Sequence, residues 1–298
     1  MLYNKVKAYL ADTKYYIGFL RKSDLTLPTT ERFNKIAWLN ERDYSGGWFA
    51  DPFIYKISDT NIQLFVEEWL DNKKKGRISL LEVIQTGDNE YLLDRVHPML
   101  ELDTHLSYPI YMRDQGKTYV YPENYQSGRL TIYEYDEFRH TLVNACPIID
   151  EPLVDTSIIK IADSYFAFGT LVKYKNFEDT RYTYVYKSSS LVSGWSLFQI
   201  IENKRREERG AGLIFEDHDK LIRPVQNCES IYGEDIVLNE LQLINGIFNE
   251  RYITRIEPDH KKFRGLAMHT YNEMDDLCVV DGREYKRFHI ARLIKRFI

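Results

Sequence analysis

Five segments of the 298-residue sequence open alike, each with a short apolar strand pattern: WFADPFIY from position 48, HLSYPIYM from 105, LVDTSIIK from 153, GAGLIFED from 210 and FRGLAMHT from 263. Their starts lie 57, 48, 57 and 53 residues apart, room for four strands in each interval. Two further strand-like runs with a turn between them follow each opener, and usually a fourth, more polar run. A recurring period of about 50 residues marks a repeat architecture, and four short strands per repeat is the pattern of a propeller blade. The expectation is therefore an all-β chain folded as a five-bladed β-propeller. It forms one domain over 1–298, with blades beginning near 48, 105, 153, 210 and 263 and the openers lining a central channel. Residues 1–47 enter the fold, and YYIGFL with FNKIAWL supplies a strand that completes the last blade, leaving no sheet edge open. A two-sheet sandwich tolerates the same strand spacing but gives no reason for a repeat at this interval.

The runs between the openers support strands. IQLFVEEWL (62–70), GRISLLEVI (76–84), KTYVYPENY (117–125), RLTIYEYD (129–136), SYFAFGTLVKY (164–174) and RYTYVYKSS (181–189) are separated by turn-type clusters such as SDTN, DNKKKG, DQGK and QSG. Helical turns are expected only at the chain edges, around 3–14 and 286–297. The 23 tyrosines among 14% aromatic residues suit sheet faces and equally suit stacking against sugars or bases. With 44% hydrophobic residues the chain can bury a full core, which excludes bulk disorder. Forty basic against forty-five acidic residues give a net charge of -5, which argues against nucleic acid as the partner. No apolar run reaches the ~20 residues of a membrane span, and the start lacks the apolar stretch of a secretion signal. Cys146, Cys228 and Cys278 are too dispersed for a metal knuckle or a disulfide framework, so free thiols in a reducing cytoplasm are expected.

If the openers line a channel, their polar residues converge at its mouth: Asp51, His105, Asp155, Arg209 and His269. An apolar strand has no packing reason to carry aspartate, because a buried unpaired carboxylate costs several kcal/mol. Asp51 before Pro52 also fits a turn cap, and Asp155-Thr156-Ser157 also fits an Asx or Ser/Thr turn. Second strands add Glu67 and Glu68, of which alternation lets only one face the site. Glu123 stands beside a proline near a strand end. Two or three carboxyl groups around one pocket are what glycosidic cleavage needs, one protonating the leaving oxygen and another activating water or attacking carbon. Arg209, Arg223 and Gln226 offer donors for a carboxylate, a phosphate or a sugar hydroxyl, or alternatively pair internally with these acids. No phosphate-binding loop, dinucleotide fingerprint, nucleophile elbow or zinc-protease helix motif occurs. Seven scattered histidines, His105 and His269 among them, give no metal-ligand spacing, so neither metal nor cofactor is expected.

The succession FADPF (49–53), LFVEEW (64–69), KGRISL (75–80), HLSYP (105–109), YPEN (121–124), VDTS (154–157), SGWS (193–196), RGAG (209–212), RPVQNC (223–228), YGEDI (232–236) and GLAMHTYN (265–272) resembles a known propeller. It is the one at the N-terminus of plant glucosamine inositolphosphorylceramide transferases, which also occurs in bacterial relatives, often near polysaccharide-biosynthesis genes. The similarity is colinear over about residues 45–285 and includes no nucleotide-sugar transferase domain. More distantly, the arrangement is similar to the five-bladed propellers of glycoside hydrolase family 43 and its clan. That resemblance implies an aspartate base on the first blade, a second aspartate that tunes the acid, and a glutamate acid. Asp51 and Asp155 match the first two by blade and strand. For the acid, Glu123 sits one blade earlier than the pattern, and Glu229 competes with it.

Taken together, Asp51, Asp155 and Glu123 are the candidate catalytic residues. Glu67, His105, Tyr108, Arg209, Arg223, Gln226 and His269 are the candidate ligand contacts. The expected function is that of a carbohydrate-active protein of surface-glycan or polysaccharide metabolism, binding a sugar or sugar-phosphate at the channel mouth, with glycosidase-like or glycosyl-transfer chemistry. Its alternative is a non-catalytic propeller that binds glycan or a partner. Association with glycan-biosynthesis enzymes is expected in either case.

Overall fold

The computed structural model describes residues 11–42, 44–171, 182–203, 205–261 and 267–288. In chain order, β1 (Ala11–Arg21) leads through a short 3-10 turn to helix α1 (Thr29–Lys35) and β2 (Ala37–Trp38). Four sheets follow: β3 (Gly47–Ser58) to β6 (Glu90–Leu100) through β4 (Asn61–Leu70) and β5 (Lys75–Gly87), then β7 (Tyr111–Asp114), β8 (Lys117–Val120), β9 (Leu130–Asp136) and β10 (Thr141–Ile149). The third is β11 (Leu153–Ile161), β12 (Ser164–Leu171), β13 (Tyr182–Ser188) and β14 (Ser196–Glu202). The fourth is β15 (Phe215–Asp217), β16 (Lys220–Asn227), β17 (Asp235–Ile244) and β18 (Ile247–Ile256). The fifth sheet has the order β19–β20–β1–β2, where β19 is Tyr271–Met274 and β20 is Leu277–Phe288. Five antiparallel four-stranded sheets make a five-bladed β-propeller, and the N-terminal β1 pairs with β20 from Leu277 to Phe288 to close the ring.

Alternation along each strand sorts its side chains between the two neighbouring blades. In β4, Ile62, Leu64 and Val66 pack with Ile17, Phe19 and Val279 of blade five, whereas Phe65 packs with Tyr111 and Tyr135 of blade two. Further apolar layers join blade three to blade four through Phe166, Phe168 and Phe248, and blade four to blade five through Ile222, Ile236, Tyr271 and Val280. Each layer removes whole aromatic or branched side chains from water, at about 1.5–3 kcal/mol apiece. The core is thus a set of wedges between blades, which leaves the channel side of each innermost segment free for polar residues.

Two local expectations fail. The edges read as helical at 3–14 and 286–297 are strand at 11–14 and 286–288, because those residues pair with each other in β1 and β20; the rest lies outside the described residues. The helix is instead α1, whose Phe33 is buried against blade five. The openers of blades two and four are also less regular than their patterns suggest. There only Ser107 and Gly210 form isolated bridges before β7 and β15 begin. Among the described residues no helix is long and apolar enough to cross a membrane.

Candidate functional site

The same backbone device recurs in the openers. Asp51, Tyr108 and Asp155 have φ of 49, 47 and 45°, and Gly212 takes the corresponding place in blade four at 153°. A left-handed residue costs a non-glycine side chain roughly 1–3 kcal/mol, so its recurrence needs a return. The return is that each such N–H meets an acceptor within the ring. Asp51 donates to Asp281 Oδ2 at 3.3 Å, Tyr108 to Asp51 Oδ2 at 2.9 Å, Asp155 to Glu123 Oε2 at 3.3 Å and Gly212 to the Tyr108 hydroxyl at 2.6 Å. Gly212 is obligatory here, since a Cβ would lie 1.9 Å from the Tyr271 carbonyl oxygen.

These bonds gather five buried carboxyl groups, Asp51, Glu67, Glu123, Asp155 and Asp281, within electrostatic reach of one another. Asp155 is held by Arg209 Nε at 2.5 Å and Gln226 Nε2 at 2.9 Å. The same guanidinium lies 3.7 Å from Glu123. Burial works against Arg209, but Asp155, Tyr232 and Glu123 outweigh it and hold its pKa well above the usual value. Glu123 is pushed well above the carboxylate range by burial and by Asp155, with Arg209 opposing, so it and Asp155 compete for one cation.

Asp51 accepts from the Thr270 hydroxyl at 2.8 Å through Oδ1, and its Oδ1 lies 3.8 Å from His269 Nδ1. Burial raises its pKa, and the His269 charge counters in part. His269 Nδ1 is 2.5 Å from Asp281 Oδ2, and Asp281 Oδ1 also accepts from the backbone of His269 and Thr270 at 2.9 and 3.1 Å. For both partners burial opposes ionisation. Their mutual attraction and the hydrogen bonds win, so His269 is raised and Asp281 lowered. The pair is a buried imidazolium–carboxylate beside Asp51.

Glu67 differs from its neighbours. Strand alternation sends it toward blade two, while Glu68 on the other face is bound by Arg77 Nε, Ser79 and Tyr44. His105 Nε2 lies 3.7 Å from Glu67 Oε1. His105 Nδ1 accepts from the Gly76 N–H at 2.8 Å, which leaves Nε2 as the protonated nitrogen. Gly76 permits this approach, since a Cβ there would sit 2.6 Å from Glu67 Oε1. Burial and the four surrounding acids raise the Glu67 pKa well above normal. Burial and its acidic neighbours thus favour the protonated form of Glu67.

An arc of rings borders the cluster. Tyr232 meets His269 edge-on at 5.6 Å, His269 stacks on Tyr15 at 4.8 Å, and Tyr15 contacts Trp48 at 5.1 Å. Trp48 stacks on Trp69 at 5.3 Å, and Trp69 meets His105 at 5.9 Å. Tyr232, 43% exposed, forms one end, with the Arg209 guanidinium 5.0 Å from its ring centre.

Of the residues singled out from sequence, Asp51, Asp155, Glu123, Glu67, His105, Arg209, Gln226 and His269 fall in or directly against this cluster. Tyr108 lies beneath it and is 1% exposed, its hydroxyl committed to the Gly212 N–H and carbonyl across the ring. Arg223 is elsewhere, which corrects its expected place among the ligand contacts. On the second strand of blade four it faces blade three, fully buried over Phe168, with its guanidinium bound to Glu250 and the Glu208 carbonyl. Glu229, the competing choice for the acid, is exposed. The sequence reading missed Asp281, Tyr15, Trp48, Trp69 and Tyr232. Asp281 carried a usable signal, a carboxylate ending the apolar run LCVV; the rings carried none, being scattered over three blades.

The family described as glucosamine inositolphosphorylceramide transferase 1, N-terminal, matches residues 19–274. A curated relative from Oryza sativa subsp. japonica, glucosamine inositolphosphorylceramide transferase 1, is 25% identical over 206 residues, 68% of this chain. The match covers 27% of that relative, so this chain corresponds to about a quarter of its length. Among solved structures, an exo-β-1,3-galactanase from Phanerochaete chrysosporium with galactose aligns over 74% of this chain and 54% of its own, at 12% identity and a TM-score of 0.56. A family 43 β-1,3-galactosidase aligns over 73% and 50% at 11% identity and a TM-score of 0.55. At such identity these two structures establish the shared propeller fold, and the match over residues 19–274 establishes kinship: the chain belongs to the family of the N-terminal region of glucosamine inositolphosphorylceramide transferase 1.

Proposed function

We propose that this propeller is carbohydrate-active and takes a glycosyl group into the channel mouth, where Asp51 acts as the base or charge-stabilising carboxylate and Glu67 as the proton donor. The observation that carries this reading is the contrast between the two acids. Asp51 is oriented by Thr270 and the Tyr108 N–H, and His269 beside it counters part of the burial that raises its pKa; Glu67 is raised well above the usual range and among the described residues pairs with no lysine or arginine. An acid and a carboxylate with separated pKa values around one site are the requirement for glycosidic proton transfer. The aromatic arc offers faces on which a sugar ring can stack. Asp155 then sets the charge around Glu123 and Arg209.

The charge balance also selects the ligand. Arg209 is engaged by Asp155 and Glu123, so the mouth favours a neutral or amino sugar over a sugar-phosphate. The relatives are named for glycosyl transfer and a structural neighbour for galactoside chemistry, in keeping with a carbohydrate ligand. A second reading, recognition without turnover, is favoured by one observation. In blade four the segment Arg209-Gly210-Ala211-Gly212 presents an arginine that closes onto Asp155 and Glu123. Under both readings the setting is the reducing cytoplasm, consistent with the free thiols of Cys146, Cys228 and Cys278, beside enzymes of glycan biosynthesis.

The test is a thermal-shift screen of the purified chain against neutral sugars, amino sugars, sugar-phosphates and nucleotide sugars, followed by product analysis with each binder. A ligand at 100 times its dissociation constant stabilises by about 2.7 kcal/mol. Stabilisation by neutral or amino sugars supports binding at the mouth, and released or transferred sugar that Asp51→Asn or Glu67→Gln abolishes separates catalysis from recognition. A preference for sugar-phosphates overturns the charge argument, and a panel without any binder overturns the function.

A further inference from the structure

A second group of potential ligand atoms lies outside the mouth, between the outer parts of blades one and two. Glu82 on β5 pairs across the sheet with Arg95, and His97 on β6 pairs with Leu80, so Glu82 and His97 are diagonal neighbours on one face. That face is the one Leu80 buries toward blade two. From blade two, His140 at the β9–β10 turn brings its ring to 4.6 Å from the His97 ring. One nitrogen from each histidine and one Glu82 oxygen all lie within 4.8 Å of one another.

Three features distinguish this trio from an incidental surface cluster. His97 Nε2 is shielded from solvent and has no hydrogen-bond partner among the described residues, although Glu82 Oε2 is only 3.4 Å away. A tetrahedral ion with ligand distances of about 2.1 Å spaces its donors by about 3.4 Å. The His140 ring is oriented by a 2.9 Å hydrogen bond between Nδ1 and the Tyr135 hydroxyl, which leaves Nε2 to coordinate. Tyr135 is itself fixed by edge contacts with Tyr55 at 5.3 Å and Phe65 at 5.1 Å. The competing cation is Arg95, 4.0 Å from Glu82 Oε2, but its side chain is 70% exposed and can swing away.

We propose that Glu82, His97 and His140 form a zinc site that staples the outer strand of blade one to the β9–β10 hairpin of blade two. Two imidazoles and one carboxylate suit zinc, with a fourth position open to water, and do not suit calcium or magnesium, which take mainly oxygen ligands. The ion would add a polar link beside an interface otherwise held by apolar packing.

Isothermal titration of the untagged full chain with zinc chloride, paired with thermal unfolding, tests this. One zinc per chain with micromolar or tighter affinity, a melting temperature raised by zinc and not by equal calcium or magnesium, and at least a tenfold loss of affinity in both His97→Gln and His140→Asn support the site. Asparagine is chosen because residue 140 has a φ of 52°, which asparagine tolerates. Circular dichroism and zinc-free melting of each variant establish that it folds, and Glu82→Gln replaces a variant that does not. Because Asp51, His269 and Asp281 also lie close together, His269→Gln is the locating control. Absence of stoichiometric zinc binding, binding that survives both histidine changes, or binding lost only with His269→Gln overturns the proposal.

Discussion

Replacing Glu67 by glutamine removes an ionisable proton while preserving nearly the same shape, which makes it a direct test of the site's electrostatics. In the folded chain burial and the neighbouring Asp51, Glu123, Asp281 and Asp155 charges raise the Glu67 pKa well above 4.5. The unfolded chain ionises this group near pH 4.5, so between that value and the folded pKa the native state holds a proton that the unfolded state has released. Stability contributed by this group is therefore present below pH 4.5 and lost as pH rises toward the folded pKa. The loss has a slope of about 1.4 kcal/mol per pH unit for one proton. Glutamine abolishes that slope. Above about pH 5 the wild type should therefore lose stability more steeply than Glu67→Gln, and the two curves should run parallel again only once the folded pKa is passed. Urea unfolding at half-unit pH intervals measures the difference, with His269 and Glu123 present in both chains. Parallel stability–pH curves for the two proteins would show that Glu67 ionises normally in the fold and would remove it as the proton donor. Under the catalytic reading the same variant should retain sugar affinity while its turnover on unactivated glycosides falls by roughly two to four orders of magnitude.

Asp51→Asn keeps a residue type that tolerates the φ of 49° and keeps an acceptor for Tyr108 N–H or Thr270, so melting should change little while turnover drops by roughly two to four orders of magnitude; a drop of more than about 10 °C would instead assign Asp51 to structure. Arg209→Ala leaves buried Asp155 and Glu123 without their shared cation and should destabilise by about 3–5 kcal/mol in denaturant unfolding; a neutral result would mean that the arginine serves ligand alone. Tyr108→Phe strips the partner from the Gly212 N–H and should cost about 1–3 kcal/mol while sugar affinity stays within threefold, a pattern that a direct ligand contact would reverse.

The fold was legible because its signal is collective. Five openers at similar intervals carry more information than any one strand, and the inter-blade wedges require the alternation seen in IQLFVEEWL. Helix α1 was not legible, since seven residues hold too few turns to establish a 3.6-residue period. The short first strands of blades two and four were not legible either: their openers carry the same apolar pattern as the others, yet only Ser107 and Gly210 form bridges before β7 and β15 begin.

For the site, one rule worked unevenly: a charged residue inside an apolar strand needs a partner or a function. It selected Asp51 and Asp155 in the openers, and applied to LCVVDG it would have selected Asp281, where Leu277 and Val279 pack toward blade one and carry Asp281 to the same side. Applied to LIRPVQ it selected Arg223, yet that residue is satisfied by Glu250 between two blades. What separates these cases is which neighbours the side chain meets and not residue type. Near the channel a strand's polar side chain meets groups from several blades at once, so Asp51 touches Tyr108 of blade two and Thr270 of blade five. Away from the channel a charge is bound within its own sheet, as Glu250 of β18 binds Arg223 of β16. Strand order alone does not decide which buried charges are available for chemistry, since Glu67, Gln226 and Asp281 lie on second strands as Arg223 does and still reach the cluster; what decides is whether a side chain meets groups of other blades, as Gln226 meets Asp155, or only those of its own.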